Sequence, residues 1–523
     1  MARPPLEPAL SEGSLVGRVR ALAAGGGVAI VDGGGAASHG ELWAGARARA
    51  AALGGPLGGE PVALLAPPGR AWVEAFFGVV LAGGVALPLS PLHPEDEVRY
   101  FVADSGARRA LVDLGAFGER AAWLAPARVV GLGAPSPGAA GAPAAPAADA
   151  PWPERVPANG EGALLLYTSG TTGRPKGALL THGNLLAQVS VLAEAWGMGP
   201  SDRLLHALPL HHLHGVVVSL LTTLLAGGSA RMLPRFDAAA VWGALAESTV
   251  FMGVPTMYHR LLEAFEAAGE AERAGWAASA RALRLATSGS AALPAALAER
   301  WAKVAGRVPL ERYGMTEIGM ATSNPLEGER RPGTVGRPLP GVELRRVADS
   351  GAEAGPGEAG EIWVRGPSVF AGYHGRDEAT RQAFAGGWFR TGDVAEVDAE
   401  GYVRLLGRAS VDILKSAGYK LSAVEIEEAL RAHPLVDDVA VVGLPDEALG
   451  ERAVACVVAR GGEPGPGLEG ALREHCRARL APYKVPRAFV ALAELPRNAL
   501  GKVQKPELVR RLLAAATPPE RAP

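Results

Sequence analysis

Tyr167-Thr168-Ser169-Gly170-Thr171-Thr172-Gly173-Arg174-Pro175-Lys176-Gly177 is the stretch whose reading decides the fold. The apolar run Gly162-Ala163-Leu164-Leu165-Leu166 ahead of it reads as a buried strand bounded by turn residues. The eleven residues themselves carry almost no apolar side chain: four hydroxyls, three glycines and two cations. Glycines let backbone N–H groups close on an anion, while hydroxyls, Arg174 and Lys176 add donors and charge. That is the composition of a phosphate cradle. Pro175 before the lysine and Gly177 after it prevent a helix from starting there and supply no metal-binding hydroxyl, so the Gly-Lys-Ser/Thr P-loop is excluded. A plain surface loop is the alternative, but such loops rarely pack hydroxyls, glycines and cations so densely.

With 523 residues the chain is too long for one core and should form several domains or subdomains. A formal net charge of −2 gives no basic field, so nucleic acid is not an expected partner. Two cysteines, Cys456 and Cys476, imply no disulfide framework and fit a reducing compartment. Positive charge is almost all arginine, with seven lysines against forty-five arginines. Each lysine is therefore informative, and Lys176, Lys415 and Lys502 all fall in motif-like stretches. The first residues carry acids and prolines rather than a short apolar core, so no secretory signal is expected. The longest apolar stretches are interrupted short of the roughly 20 residues that span a bilayer. A cytoplasmic protein without a membrane span is the expectation.

Upstream of the loop, helical patterns at 15–24, 40–53, 71–81 and 95–104 alternate with apolar runs at 62–65 and 85–89. Alternation of this kind argues an α/β layer with mostly parallel sheets. Residues 131–160, rich in Gly, Ala and Pro, read as a mobile surface connection. Downstream, a helix is expected over 181–196 and strands over 203–207, 250–255, 283–288 and 308–310. The turn Pro209-Leu210-His211-His212-Leu213-His214-Gly215 holds three histidines in four residues but lacks the ligand spacing of a metal site. Ser288-Gly289-Ser290 forms a small-residue corner at a strand end, where open α/β sheets place ligands. In Glu311-Arg312-Tyr313-Gly314-Met315-Thr316-Glu317, Tyr313 offers a flat face for adenine, Thr316 a hydroxyl for phosphate and Glu317 a hard carboxylate for Mg2+. Ser422-Ala423-Val424-Glu425 reads as a capping box opening a helix in a small α+β C-terminal region.

Taken in order, the 167–177 loop, the histidine turn, Tyr313–Glu317, Thr391-Gly392-Asp393, Gly407-Arg408 through Gly418, and Asn498–Val503 cover residues 167–503. The set resembles the adenylate-forming superfamily of acyl-CoA synthetases, luciferases and adenylation domains. The resemblance implies a large α/β N-terminal domain over 1–407 and a small mobile α+β lid over 408–523, with a hinge within 409–412. It implies ATP contacts from Thr168, Ser169, Gly170, Thr171, Thr172, Gly173, Lys176, Tyr313, Gly314, Met315, Thr316, Glu317, Asp393, Arg408 and Lys502. Catalytic roles fall on Thr168, Lys176, Glu317 and Lys502, with Glu317 also the metal ligand and Asp393 on the ribose. Lys415 and Gly418 would meet CoA, the co-substrate with ATP and Mg2+.

The same resemblance lines the acyl pocket with His212, Ser288, Ser290, Met315 and position 312. Relatives that take long or aromatic acids commonly have glycine at 312; here Arg312 could pair with a second carboxylate. An outward salt bridge of Arg312 is the competing reading. Glu311–Glu317, Gly253–Arg260 and the Ser-Gly-Ser-Ala-Ala-Leu stretch together resemble malonyl-CoA synthetases. The implied activity is ATP-dependent ligation of malonate, and also methylmalonate, to CoA. Another short-chain or aryl acyl-CoA ligase, a stand-alone adenylation domain and a non-catalytic scaffold remain open. No obligatory protein partner is expected.

Overall fold

The computed structural model describes residues 14–132, 156–168, 174–355, 357–416, 419–446, 449–462, 465, 467–497 and 503–516. Ser169, Gly170, Thr171, Thr172, Gly173, Gly418 and Lys502 lie outside them, as does most of the 131–160 connection. The chain divides into two compact units. The first comprises Met1–Pro332, Gly336–Glu343 and Val364–Phe389; the second Gly333–Val335, Leu344–Trp363 and Arg390–Pro523.

Two sheets organise the first unit. One runs in the order Gly372–Tyr373, Lys176–Thr181, Gly162–Thr168, Val85–Pro88, Pro61–Leu65, Arg109–Val112, Arg128–Gly131, parallel from Gly162–Thr168 onward. Its central strands are continuous apolar runs because both faces are covered: every residue of Pro61–Leu65 and Val85–Pro88 is buried. The covering helices start and cross where the sequence allows. Ser38 Oγ accepts from the Glu41 amide at 3.2 Å and the Glu41 carboxylate accepts from the Ser38 amide at 2.8 Å, which opens helix His39–Ala52. A Cβ on Gly78, in helix Arg70–Leu81, would stand 2.5 Å from the Arg49 Cβ, so glycine sets the closeness of that crossing.

The second sheet has nine strands among the described residues, with a parallel centre built from Leu310–Met315, Leu285–Ser288, Val250–Gly253, Arg203–His206, Ser229–Met232 and Val28–Asp32. The strand expected at 308–310 begins at Leu310 and carries the motif itself to Met315, because Arg312–Met315 pairs back on Gly319–Ser323 as an antiparallel hairpin. A Cβ on Gly314 would lie 2.0 Å from the Gly319 carbonyl oxygen, so only glycine fits that turn.

In the second unit, strand Val436–Asp446 pairs along its length with Gly450–Ala459, whose other neighbours include Ile413–Ser416 and Ala488–Ala491. Helices Ala423–Arg431 and Leu468–Arg477 pack apolar residues on one face, including Ile426, Leu430 and Leu472, and helix Lys505–Ala516 covers the other with Leu508. Residues 390–408 group with them: Asp393–Val397 pairs with Val403–Arg408, and Ser422 Oγ donates to the Leu406 carbonyl at 2.5 Å. The capping box expected at Ser422 is half formed. Ser422 Oγ accepts from the Glu425 amide at 3.1 Å, but the Glu425 carboxylate accepts from Lys484 Nζ at 2.7 Å instead. Long-range charge won over the local cap.

Lys505 sits almost buried between Asp412 and Glu427, 2.7 Å from Glu427 Oε1. Burial works against its charge, yet the two carboxylates outweigh it and hold the ammonium above its usual value. Lys505→Met leaves two carboxylates half-buried or buried without their cation, an expected loss of about 3–5 kcal/mol. Urea unfolding of the wild type should show this contribution intact up to the ordinary lysine range and fading only as pH rises through the raised folded value. A variant with the wild-type midpoint at neutral pH would contradict it.

Candidate active site

Thr168 and Lys176 stand directly opposite each other in the antiparallel pair Gly162–Thr168 and Lys176–Thr181, at the two feet of the loop first quoted. The hairpin is braced from helix Glu95–Ser105. Tyr100 donates its hydroxyl to the Pro175 carbonyl at 2.8 Å, the Arg174 guanidinium lies 5.5 Å over the Tyr100 ring, and the Tyr167 hydroxyl donates to Asp104 at 2.9 Å. Glu317, 4 % exposed, follows the hairpin strand and accepts at Oε1 from Thr168 Oγ1 at 3.2 Å and from the Tyr373 hydroxyl at 3.1 Å. Lys176 Nζ lies 5.1 Å over the Tyr373 ring. The structure thus brings together Thr168, Lys176 and Glu317. It adds Tyr373, which sequence reasoning missed because a Gly-Tyr pair two hundred residues downstream carries no spacing signal. A carboxylate and a hydroxyl are hard oxygen donors that fit Mg2+, which takes few protein ligands beside phosphates and water.

Arg312 and the Ser288–Ser290 corner also come together. The pairing of Leu285–Ser288 with Leu310–Met315 puts Ser288 opposite Glu311, one residue from Arg312. A Cβ on Gly289 would lie 2.3 Å from Arg312 Nη1, so the glycine opens the seat the guanidinium occupies. Arg312 is 3 % exposed, and its Nε and Nη2 have no hydrogen-bond partner among the described residues. It is no outward salt bridge. Burial pushes it down to about 9, which still leaves it cationic at neutral pH. Ser290 holds a left-handed backbone at φ 68°, and its Oγ lies 3.3 Å from His214 Nδ1. Non-glycine residues pay strain for that conformation and keep it chiefly at functional sites.

His214 was legible only as the third histidine of its turn. The backbone from His214–Leu221 is wound as a π-helix, a form frequent at functional sites. A Cβ on Gly215 would stand 2.0 Å from the Pro209 carbonyl oxygen, so the glycine lets the turn fold back on itself. Burial, with Arg312 next, pushes His214 well below its ordinary value. His211 is half-buried, its ring 5.2 Å from His93 and 4.0 Å from His212. Tyr313 is buried, while Gly314, Met315 and Thr316 are half-buried in the hairpin turn.

In the second unit Asp393 Oδ1 lies 3.0 Å from Arg408 Nε, and the Asp393 amide donates to Thr391 Oγ1 at 3.0 Å. Asp412 Oδ2 accepts from the Arg408 amide at 3.0 Å. Lys415 has an exposed side chain, and its amide donates to Glu451 at 2.6 Å.

Residues 18–374 match the AMP-binding enzyme family, and residues 425–502 match the AMP-binding enzyme C-terminal domain. The chain is 42 % identical to the mitochondrial malonate–CoA ligase of Mus musculus, over 97 % of this chain and 92 % of that one. It is 40 % identical to the sulfoacetate–CoA ligase of Cupriavidus necator, over 89 % and 90 % of the two chains. The solved ATP-bound MatB of Rhodopseudomonas palustris superposes with a TM-score of 0.86 at 36 % identity, covering 96 % of this chain and all of that one (100 %).

The histidine cluster makes the site acid-sensitive. Burial pushes His93 and His212 down to about 4 and His211 to about 2, while the unfolded chain protonates near the ordinary value of 6.5. The unfolded state therefore binds more protons below that value. Stability should be full above pH 6.5 and fall progressively toward pH 4. His211→Phe should flatten that fall in chemical denaturation followed against pH; an unchanged acid limb would remove His211 from the cause.

Proposed function

The chain belongs to the AMP-binding enzyme family and is an AMP-forming acid–thiol ligase, and from that premise we propose that it joins malonate to CoA at the expense of ATP. The observation that carries the choice of acid is Arg312: a buried cation with two adjacent N–H groups unpartnered among the described residues. Nε and Nη2 form one edge of the guanidinium fork, which matches the two oxygens of a carboxylate. Malonate gives one carboxylate to ATP and keeps the other; methylmalonate keeps the same group. A neutral fatty chain would leave the cation uncompensated. His212, Ser288, Ser290 and Met315 line the rest of the pocket in this reading, with His214 added.

A carboxylate is a poor acyl donor because attack on it must expel oxide. In the first step a malonate oxygen attacks the α-phosphorus of ATP and pyrophosphate leaves. Thr168, Lys176 and the 169–173 backbone bind and orient the phosphates, Tyr313 with Gly314 and Thr316 holds the adenosine side, and Asp393, steadied by Arg408, reads the ribose. Mg2+, held by Glu317, would neutralise charge on the triphosphate. Lys502 bridges the attacking carboxylate and phosphate oxygens. In the second step the CoA sulfur attacks the acyl carbon and AMP leaves, with Lys415 and Gly418 toward the thiol substrate. One lysine serving one step fits a lid, 408–523, that turns against 1–407 about a hinge in 409–412. We assign the enzyme to the cytoplasm and expect it to act without a protein partner.

A second reading has the same site taking sulfoacetate, since a sulfonate also offers paired oxygens to Arg312 and a relative of that name is similar at nearly full length. Pyrophosphate release with malonate, methylmalonate, sulfoacetate and butyrate, each with and without CoA, separates these acids and also a carrier-loading domain or scaffold. Malonate should give the highest kcat/KM, and thioester should form with CoA.

Arg312→Ala should lower kcat/KM for malonate at least about tenfold, within the roughly 1.5–3 kcal/mol of a charged hydrogen bond, while butyrate gains relative to malonate. An unchanged malonate-to-butyrate ratio in a folded variant sinks the role of Arg312. Lys502→Ala should nearly abolish pyrophosphate release yet leave conversion of supplied malonyl-adenylate and CoA largely intact. Equal loss in both half-reactions would show Lys502 to be structural.

A further inference from the structure

Tyr373 touches two members of the nucleotide site at once, and it belongs to none of the motifs that announced that site. Its hydroxyl donates to Glu317 Oε1 at 3.1 Å, and its ring lies beneath Lys176 Nζ at 5.1 Å. Backbone register explains why one side chain can do both. Gly372–Tyr373 pairs antiparallel with Lys176–Thr181, with Tyr373 opposite Ala178. Lys176 is two residues from Ala178 and so on the same face, which makes Lys176 and Tyr373 diagonal cross-strand neighbours.

The segment around Tyr373 is fixed on three sides. The Phe370 amide donates to the Glu317 carbonyl at 2.9 Å, which ties this stretch to the Glu317 turn by main chain as well. The Tyr373 amide donates to Thr380 Oγ1 at 2.9 Å, and the Phe370 ring meets the Tyr373 ring edge-on at 4.9 Å. Gly372, at φ 146°, passes so near Thr380 that a Cβ there would lie 2.9 Å from the Thr380 methyl. The tyrosine therefore has little freedom, and its hydroxyl and ring arrive at Glu317 and Lys176 already placed.

We propose that Tyr373 is a positioning residue of the nucleotide site, orienting the Glu317 carboxylate through its hydroxyl and the Lys176 ammonium through its ring face before ATP binds. The proposal rests on the ligase reading above. Glu317 takes two hydroxyl donors at the same oxygen, from Thr168 and Tyr373, and this turns the carboxylate so that its direction no longer depends on the ligand. The ring contact holds a flexible lysine without capping its donors, since a cation over a π face keeps its N–H groups for a phosphate. The two functions are separable by chemistry: the hydroxyl serves the residue that faces the metal, and the ring serves the residue that faces phosphate.

The test is calorimetric binding of α,β-methylene ATP, whose α–β bridge cannot be cleaved to transfer AMP, to the full chain with Mg2+ or with EDTA. Tyr373→Phe keeps the ring and loses the hydroxyl. It should weaken binding about three- to tenfold in Mg2+, because the ligand feels only part of a hydrogen bond that orients the carboxylate rather than touching the ligand, and stay within about twofold of wild type in EDTA. Tyr373→Leu should also lose about two- to fivefold in EDTA, because the ring face is gone. Both variants should melt within a few degrees of wild type, and pyrophosphate release by Tyr373→Phe should need more Mg2+ for half-maximal rate. Equal losses of affinity with and without Mg2+ in Tyr373→Phe, or wild-type binding in both, would overturn the proposal while leaving the ligase reading in place. Failure of the wild type to bind the ATP analogue at all would overturn both.

Discussion

A guanidinium held out of water constrains everything around it. Removing an ion from solvent costs several kcal/mol even after relaxation, and proteins accept it only with good pairing or a functional return. Arg312 is buried with Nε and Nη2 unpartnered among the described residues, and burial pulls its pKa down with Tyr258 opposing. Its neighbours are arranged to admit that charge. Gly289 vacates the space the fork fills, and His214 remains a neutral imidazole beside it. In the proposed reading the anionic acid supplies the partner this cation lacks, which makes the acid as much a part of the core as a substrate.

Departures from local regularity gather in the same place. A π-helix, a non-glycine residue in the left-handed region and a hairpin turn that only glycine can make all lie within the segments carrying His214, Ser290 and Gly314. The centres of both sheets, by contrast, are parallel runs such as Pro61–Leu65 beside Val85–Pro88 and Val250–Gly253 beside Leu285–Ser288. Sequences that are consistent at every level break their own rules mainly where chemistry requires it.

What could be read from the chain alone follows the same division. Parallel strands such as Pro61–Leu65 and the capped helix His39–Ala52 announce themselves through apolar runs and hydroxyl caps, which are local signals. Thr168, Lys176 and Glu317 were legible because motif order brought them forward, and they do converge. Tyr373 and the Lys505 trio were not legible, because each depends on a pairing between residues far apart in sequence. Glu425 shows the limit well. Its spacing from Ser422 is that of a capping box, yet its carboxylate goes to Lys484, fifty-nine residues away. The strand expected at 308–310 slipped for a related reason: the Arg312–Met315 stretch looks like a loop until Gly319–Ser323 pairs with it.

Ser290 has an evolutionary consequence. A serine in the left-handed region is less stable than glycine would be by about 1 kcal/mol. Selection for heat tolerance alone would favour that replacement, since it relaxes the backbone without disturbing the sheet behind it. Selection for a hydroxyl beside His214 would oppose it. The residue found at 290 in a lineage thus reports which pressure has dominated there, thermal persistence or the hydroxyl beside His214.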